Sequence, residues 1–212
     1  MEEVKEINGL HYLLYKPEDC KNGKKYPVLM YLHGAGERGC GDFDRLRIHG
    51  PLHEVDNGRR LPFIIVCPQC EPNKTWFDYG ERLSALAQAC ADLPYADKAR
   101  VYVTGNSMGG FGTWSLAMAR PDLFAAIVPV CGGGMPWNAA VLENVPIWAF
   151  HAIGDTLVEV YETQKMVEAV RKYTKTEVLE TIYPYDSHDA WTDTYANPKV
   201  YEWLLSKQKQ II

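Results

Sequence analysis

The sequence predicts an α/β fold, with a mostly parallel, doubly wound sheet that carries helices on both faces. Short apolar runs recur along the chain without polar alternation, which is typical of parallel strands covered on both faces. Amphipathic patterns with helical spacing lie between several of these runs. The 212 residues suffice for one domain with a substantial core. We therefore expect a single domain that spans residues 1–212.

Each predicted strand is rich in β-branched and aromatic residues, which favour extended backbone. The runs interpreted as parallel strands are 28–32, 63–67, 101–104, 126–130, 147–150 and 178–183. Residues 8–16 predict an antiparallel strand at the edge of the sheet. Apolar positions on one side predict helices at 82–91, 109–120 and 158–172, and a further helix is expected near the C-terminus.

Composition and charge argue against several classes of partner. The net charge is −5, and no basic surface of the kind that binds nucleic acid is indicated. No segment has about 18 consecutive apolar residues, the length that a membrane helix needs, and the first residues lack the pattern of a secretory signal. We expect a cytoplasmic protein without nucleic-acid or membrane partners. The sequence leaves its oligomeric state open.

The cysteines indicate free thiols. Six cysteines are too few for a disulfide scaffold at this length, and most lie among apolar residues. Cys67 and Cys70 form a C-x-x-C pair, but no second pair completes a zinc site, and no helix follows at once as in a redox motif. We therefore expect no metal and no cofactor.

The most informative segment is 105–109, GNSMG, which joins a predicted strand to a predicted helix. This is the G-x-S-x-G pattern of a nucleophile elbow, in the strand–turn–helix context that the pattern requires. Glycines are needed because a side chain two positions from the serine would collide with the neighbouring strand or helix. Ser107 would then lie at a helix N-terminus, where free amides favour a developing negative charge. We predict Ser107 as the nucleophile.

A serine nucleophile needs a histidine base that a carboxylate orients. In this architecture the chain order is serine, acid, histidine, and only His151 and His188 follow Ser107. His151 ends the fifth strand ahead of the best acid candidate, so we interpret it as a structural residue and keep it as the alternative base. His188 lies in a polar loop between the last strand and the C-terminal helix. We predict His188 as the base.

Asp155 is the predicted acid of the site. It follows the fifth strand and so lies at the carboxyl edge of the sheet, where open α/β folds bind ligands. The alternative is that Asp155 only caps the helix predicted from residue 158, a position that favours aspartate. Asp186 and Asp189 are less suitable acids, because immediate neighbours of a histidine seldom have the reach to orient its ring.

Residues 32–39, LHGAGERG, contain the G-x-G-x-x-G pattern of a dinucleotide loop. Such a loop passes directly into a helix and is followed about twenty residues later by an acid at the end of a strand. The chain fails both conditions, because few marks of a helix start follow the loop and Asp56 lies in a polar segment. The cofactor interpretation is therefore rejected.

The same loop fits an oxyanion hole. Acyl-transfer sites take one donor from the residue after the serine and a second from a glycine-rich loop after an earlier strand. We predict the backbone N–H groups of Met108 and Ala35 as these donors, with Gly36 as the less favoured alternative to Ala35. We also expect Glu37 and Arg38 to pair and brace the loop.

Three motifs in this order resemble those of a group of α/β-hydrolases described as predicted peptidases or phospholipase/carboxylesterase-like. These are relatives of feruloyl and acetylxylan esterases and of polyhydroxybutyrate depolymerases. The motifs are LHGAGERG at 32–39, GNSMGG at 105–110 and HDAW at 188–191, and the likeness covers about residues 27–205. The resemblance implies an α/β-hydrolase fold, a triad of Ser107, Asp155 and His188, and an oxyanion hole formed by Ala35 and Met108. Such proteins often carry His-Gly where this chain has His151-Ala152.

The predicted reaction is hydrolysis of a carboxylic ester through an acyl-serine. Only residues 132–145 separate the fourth strand from the proline before the fifth, so no cap domain fits there. An open pocket suits short acyl chains or esters of a carbohydrate. Candidate pocket residues are Trp76, Trp137 and Trp191. A serine peptidase acting on short peptides, or a noncatalytic binding module on the same scaffold, is the alternative.

Overall fold

The computed structural model describes residues 2–17, 20 and 23–209. Within these residues, eight strands form one sheet. The strands are β1 (Glu2–Ile7), β2 (Leu10–Tyr15), β3 (Tyr26–Leu32), β4 (Ile64–Pro68), β5 (Ala96–Asn106), β6 (Ala126–Val130), β7 (Ile147–Ala152) and β8 (Val178–Tyr183). Their order across the sheet is β1-β2-β4-β3-β5-β6-β7-β8.

Strands β3 to β8 are parallel, which confirms the six parallel strands that the sequence predicts. Strand β2 is the antiparallel strand expected within residues 8–16. It is not the edge strand, because β1 pairs with it on the outer side. A tight turn joins the two strands, with φ of 50° at Asn8 and 75° at Gly9. Asn-Gly with two positive φ angles is the preferred connection of a two-residue hairpin.

The helices fall where the sequence predicts them, with two additions: α1, and a second helix near the C-terminus, where one was expected. They are α1 (Gly50–Asp56), α2 (Gly80–Ala91), α3 (Met108–Ala119), α4 (Tyr161–Arg171), α5 (Trp191–Ala196) and α6 (Pro198–Ser206). Helix α1 was not expected, because seven residues with a proline in the first turn give a weak periodic signal. Helix α4 begins at Tyr161 and not at residue 158, because the chain first makes a turn around Asp155. None of the helices in the described part is long and apolar enough to span a membrane.

The two faces of the sheet build two apolar cores. On β3, Val28 and Met30 point to one face, where side chains of α2, α3 and α4 cover them. Leu29 and Tyr31 point to the other face, which α1, α5 and α6 cover. All seven residues of β3 are buried, which explains why its sequence shows no polar alternation. Each large side chain buried in this way contributes about 1.5–3 kcal/mol to folding.

The register of the central strands brings their carboxyl ends to one edge. Leu32 at the end of β3 is paired with Gly105 of β5, and Ala152 of β7 is paired with Tyr183 of β8. The loops that follow these strands therefore meet at this edge. Between β6 and β7 the chain forms only a short 3-10 helix, Pro136–Leu142, and no cap domain is inserted there.

At this edge, β3 and the first turn of α3 pack so closely that a side chain does not fit between them. A Cβ atom on Gly109 would lie 1.7 Å from the carbonyl oxygen of Leu32. Movement of a side chain cannot relieve this contact, because the obstructing atom is backbone. Glycine is therefore required at position 109.

We predict that Gly109→Ala lowers the free energy of unfolding by about 3 kcal/mol or more, because the clash forces backbone to shift. The control is Gly80→Ala at the start of α2, where an added Cβ would meet nothing within 4 Å. The control should raise the free energy of unfolding by up to about 1 kcal/mol, since alanine favours helix. Urea unfolding of both variants measures the difference, and equal stability of the two would contradict the prediction.

Candidate active site

Ser107 lies at the turn between β5 and α3 with φ of 54° and ψ of −119°. A positive φ is strained for a residue with a Cβ atom and indicates a conformation that the surrounding structure imposes. The backbone N–H of Ser107 donates to the carbonyl of Val130 at 3.0 Å. A Cβ on Gly105 would lie 2.5 Å from the carbonyl oxygens of Gly109 and Leu32. The elbow is thus held by close backbone packing, and its serine side chain is directed to the edge of the sheet.

The structure brings Ser107, His188 and Asp155 together. His188 Nε2 lies 2.7 Å from Ser107 Oγ, and His188 Nδ1 lies 2.6 Å from Asp155 Oδ2. Because a carboxylate only accepts hydrogen bonds, Nδ1 carries the proton and Nε2 accepts from the serine hydroxyl. The three side chains come from the loops after β5, β7 and β8, whose ends the sheet register aligns.

Asp155 is buried, and its carboxylate has four hydrogen-bonding partners. Its Oδ1 atom accepts from the backbone N–H groups of Leu157 at 2.9 Å and Val158 at 3.0 Å. Its Oδ2 atom faces His188 and, at 3.2 Å, His151 Nε2. Burial alone would raise the pKa of Asp155, but the hydrogen bonds from His188 and from the two backbone amides outweigh burial and lower this pKa. Asp155 is therefore a carboxylate at neutral pH.

The alternative assignments made from the sequence have other positions. His151 is fully buried and contacts Asp155, Thr163 and the carbonyl of Val158, so it does not face Ser107. Asp155 caps the turn at 157–158 and not the start of α4, whose N-cap residue is Val160. Asp189 accepts from the backbone N–H and the hydroxyl of Thr192 at the start of α5.

The two predicted oxyanion donors lie at the starts of two helical segments. Met108 is the first residue of α3, and Ala35 is the first residue of a 3-10 helix, Ala35–Glu37. The backbone N–H groups of first residues have no acceptor within their own helix. The pairing of Leu32 with Gly105 places the two segments side by side. The loop does not pass into an α-helix as a dinucleotide loop does, and Asp56 ends α1 and not a strand.

His33 is buried beneath the loop that contains Ala35 and holds it by hydrogen bonds. Its Nδ1 lies 2.6 Å from the carbonyl oxygen of Gly34, and its Nε2 accepts from the backbone N–H of Cys70 at 3.0 Å. The proton is therefore on Nδ1. Trp76 donates from Nε1 to the carbonyl of His33 at 2.9 Å and packs edge-on against its ring. Burial lowers the pKa of His33 to about 4, so the ring is neutral at physiological pH.

Two expectations about this loop were wrong. Glu37 and Arg38 do not pair: the Glu37 carboxylate faces His49 at 3.8 Å, while an Arg38 terminal nitrogen lies 3.0 Å from Met108 Sδ. The two side chains leave the short 3-10 turn in different directions.

Trp76 does not line a pocket, because its side chain is 2% exposed and packs under the loop. An isolated sequence cannot distinguish a tryptophan that supports a loop from one that lines a pocket.

The other two candidate pocket residues have different environments. Trp137 is 82% exposed on the segment between β6 and β7. Trp191 packs edge-on against His188 with a centroid distance of 5.2 Å, and its other neighbour is His49. Trp191 therefore limits the movement of His188, while the exposed ring of Trp137 is accessible to a ligand.

Among the described residues, one group could offer three metal-ligating atoms: Cys131, Asp155 and His188, within 4.8 Å of one another. Burial raises the pKa of the Cys131 thiol, so it remains protonated and is a poor ligand. Asp155 and His188 are already bonded to each other. The donor set therefore fits a proton-transfer site better than a metal site.

Sequence reasoning missed several supporting residues. His33, Gln69 and Thr163 are buried polar residues whose bonds hold the loops of the site. His33 directly follows a buried strand, and this was the signal that could have identified it. Gln69 carries the same signal, because it directly follows the buried strand β4, whereas Thr163 lies within α4 and carries none.

Comparison with known proteins relates the chain to peptidases and esterases. Residues 81–134, which include the elbow, match the prolyl oligopeptidase family. The chain is similar to "Probable feruloyl esterase C" of Aspergillus terreus (strain NIH 2624 / FGSC A1156), with 26% identity over 161 residues, 74% of this chain and 59% of that protein.

Solved structures give the same result. A thermostable esterase superposes with a TM-score of 0.81 and 30% identity, and the match covers 99% of this chain and 63% of that chain. The feruloyl esterase module from Clostridium thermocellum gives a TM-score of 0.69 and 20% identity over 100% of this chain and 89% of that module. The resemblance expected from the motifs is confirmed, and the chain has the α/β-hydrolase fold. It spans less than two thirds of the feruloyl esterase C and of the thermostable esterase.

The environment of His33 predicts a pH dependence of stability. The pKa of His33 is about 4 in the folded protein and 6.5 for an exposed histidine in the unfolded chain, so unfolding takes up a proton between these values. The contribution of His33 is complete above pH 6.5, and about 3 kcal/mol is lost as the pH falls to 4. Nitrogen NMR at pH 5.5 should show a neutral His33 protonated on Nδ1. His33→Gln should flatten this part of the stability profile, and a charged His33 at about pH 5.5 would contradict the assignment.

Proposed function

We propose that this protein is a serine hydrolase that cleaves carboxylic esters through an acyl-serine intermediate. Ser107 is the nucleophile, His188 the general base and Asp155 the acid that orients it. The observation that carries the proposal is the continuous hydrogen-bonded series from Asp155 through His188 to Ser107, with distances of 2.6 and 2.7 Å. Nucleophile, base and orienting group within this reach form the arrangement that nucleophilic catalysis requires.

The geometry supports a two-stage reaction. His188 Nε2 accepts the proton of Ser107 as Oγ bonds to the ester carbonyl carbon. The backbone N–H groups of Ala35 and Met108 bind the resulting oxyanion. The carbon–oxygen bond to the alcohol then breaks, and His188 returns the proton to the departing alkoxide. Water adds to the acyl-serine in the same way, with His188 as its base, and releases the carboxylic acid and free Ser107.

Two charges develop during this reaction, a negative charge on the oxyanion and a positive charge on His188, and a fixed group stabilises each of them. The N-terminus of α3 begins at Met108, directly beside Ser107, and its partial positive charge favours an oxyanion there. When His188 becomes an imidazolium, the buried and ionised Asp155 lies 2.6 Å from its Nδ1 atom. Neither group has to reorganise during the reaction, which is the main advantage of such a site over water.

For the substrate we propose esters with short acyl chains, or acyl groups linked to a carbohydrate. No cap covers the site between β6 and β7, so a bulky alcohol group can remain outside while the acyl carbonyl reaches Ser107. We propose that such a group packs on the flat, exposed ring of Trp137, which lies on the segment between β6 and β7. The similarity to feruloyl esterases is consistent with this substrate class.

A serine peptidase acting on short peptides is the second candidate. The specific observation in its favour is the match of residues 81–134 to the prolyl oligopeptidase family. Esters are the preferred proposal because an alkoxide leaves without the full protonation that an amine needs. Hydrolysis of a matched pair of substrates, an ester and an amide with the same acyl group, separates the two candidates.

We predict that Ser107→Ala lowers kcat for p-nitrophenyl acetate and butyrate by about 10⁴-fold or more, since the nucleophile is lost. The control is Ser84→Ala in α2, whose hydroxyl only donates to the carbonyl of Gly80. Turnover by the control should equal that of the unmodified protein. Covalent labelling by a fluorophosphonate, read by mass spectrometry, should be found on Ser107. Ester hydrolysis that survives Ser107→Ala would contradict the mechanism.

Removal of the exposed ring should affect large substrates selectively. We predict that Trp137→Ala raises KM for feruloylated or acetylated oligosaccharides by about three- to tenfold, the value of one lost stacking contact. KM for p-nitrophenyl acetate should change by less than about twofold, because the proposal places the sugar, and not the acetyl group, against Trp137. Steady-state kinetics on both substrates provide the comparison. An equal change for both would place Trp137 outside the substrate surface.

A further inference from the structure

We propose that His151 is a positioning residue for the acid of the site: its Nε2–H group holds the Oδ2 atom of Asp155 where His188 meets it. This inference rests on the proposed hydrolase function and adds a second histidine to its machinery. The two imidazoles contact the same carboxylate oxygen from different elements. His188 lies on the loop after β8 and His151 lies at the end of β7.

The position of the proton on His151 follows from its neighbours. Nε2 lies 2.9 Å from the carbonyl oxygen of Val158 and 3.2 Å from Asp155 Oδ2. Both atoms accept hydrogen bonds, so a lone pair on Nε2 would face two acceptors and be repelled. Nε2 therefore carries a proton and donates to these two oxygens. Asp155 Oδ2 thus accepts one hydrogen bond from each histidine.

The other nitrogen fixes the plane of the ring. His151 Nδ1 lies 2.8 Å from the hydroxyl oxygen of Thr163 on α4, and the same hydroxyl lies 2.8 Å from the carbonyl oxygen of Gly132. His151 and Thr163 are both fully buried. Contacts at both nitrogens prevent rotation of the ring about its bond to Cβ. The chain of contacts anchors Asp155 to β7, α4 and the segment after β6.

The charges around this pair are few. Burial lowers the pKa of His151, although hydrogen bonds with the Val158 carbonyl and with Asp155 act in the opposite direction. Cys131 faces the site from the end of β6 and is protonated, because burial raises the pKa of its thiol. On α4, Glu162 is paired with Lys165. His151 is therefore neutral, with a proton on Nε2. It positions Asp155 through a directed hydrogen bond and not through a net charge.

The function of such a residue is to keep Asp155 ionised and correctly aimed. Hydrogen bonds to a carboxylate favour its charged form. Without the donor from His151, the pKa of Asp155 rises from its lowered value, and Asp155 becomes protonated at a higher pH. The carboxylate also gains freedom to rotate away from His188. Both effects reduce kcat and leave substrate binding unchanged.

Two substitutions separate this role from packing. His151→Asn keeps a polar group near the position of Nδ1 but does not reach Asp155. His151→Gln places an amide N–H₂ group near the position of Nε2 and retains the donor. We expect kcat to fall about ten- to a hundredfold in His151→Asn, the range for loss of a hydrogen bond to a charged group. KM should stay within about twofold, and the acid limb of the pH profile should move, because the carboxylate that faces the base His188 has lost a hydrogen bond. His151→Gln should restore most of kcat and the original acid limb.

A third variant tests the anchor without changing the histidine. Thr163→Val preserves shape and removes the hydroxyl, and it should lower kcat by about three- to tenfold with unchanged KM. Thermal unfolding is measured for all three variants. Should His151→Asn fail to fold, the result for Thr163→Val and the near-normal activity of His151→Gln decide the question.

Ser107→Ala, measured in parallel, separates a failure of the proposed hydrolase function from a failure of the proposed role of His151. Ester hydrolysis that survives in Ser107→Ala overturns the hydrolase itself. If Ser107→Ala abolishes hydrolysis but His151→Asn has a normal kcat and a normal acid limb, only the role of His151 is overturned. A normal kcat in Thr163→Val has the same consequence. Equal impairment of His151→Asn and His151→Gln with no movement of the acid limb assigns His151 to packing and likewise overturns the proposal.

Discussion

The contact between the backbone of α3 and the end of β3 is the constraint on which the site depends. It requires that position 109 has no side chain, and it brings the start of the helix against Leu32. The helix N-terminus and the loop after β3 then lie side by side, with Ser107 between them in a strained conformation. A slightly larger separation would remove the strain and also separate Met108 from Ala35. The close packing at Ser107 and the position of the proposed oxyanion donors thus depend on the missing Cβ atoms of Gly109 and Gly105.

Much of this arrangement could be predicted from the sequence, because its determinants are local. Strands buried on both faces leave continuous apolar runs, as in β3, and the elbow leaves glycines at fixed distances from Ser107. The order serine, acid, histidine restricted the base to two candidates, and the structure places His188 against Ser107. The ambiguity of Asp155 between cap and acid was not resolvable locally, since its carboxylate contacts both backbone amides and His188.

The features that could not be predicted depend on contacts between distant parts of the chain. Strand β1 is half exposed and rich in charge, so only its pairing with β2 makes it a strand, although Asn8-Gly9 was a usable signal for the hairpin. Trp76 was misassigned because its burial follows from the position of His33, more than forty positions earlier in the chain. The expected pair of Glu37 and Arg38 fails for a related reason: neighbours in a 3-10 turn diverge, and each finds a partner from another element.

The short connection between β6 and β7 has a chemical consequence for any acyl group carried by Ser107. Because this segment forms no cap, water can approach the acyl carbon from the side that an alcohol acceptor would use. Water at about 55 mol per litre then outcompetes dilute alcohols, unless a dry enclosure excludes it. For the proposed hydrolase, this connection would disfavour transfer of the acyl group to another alcohol, and the catalytic cycle would end in a free acid.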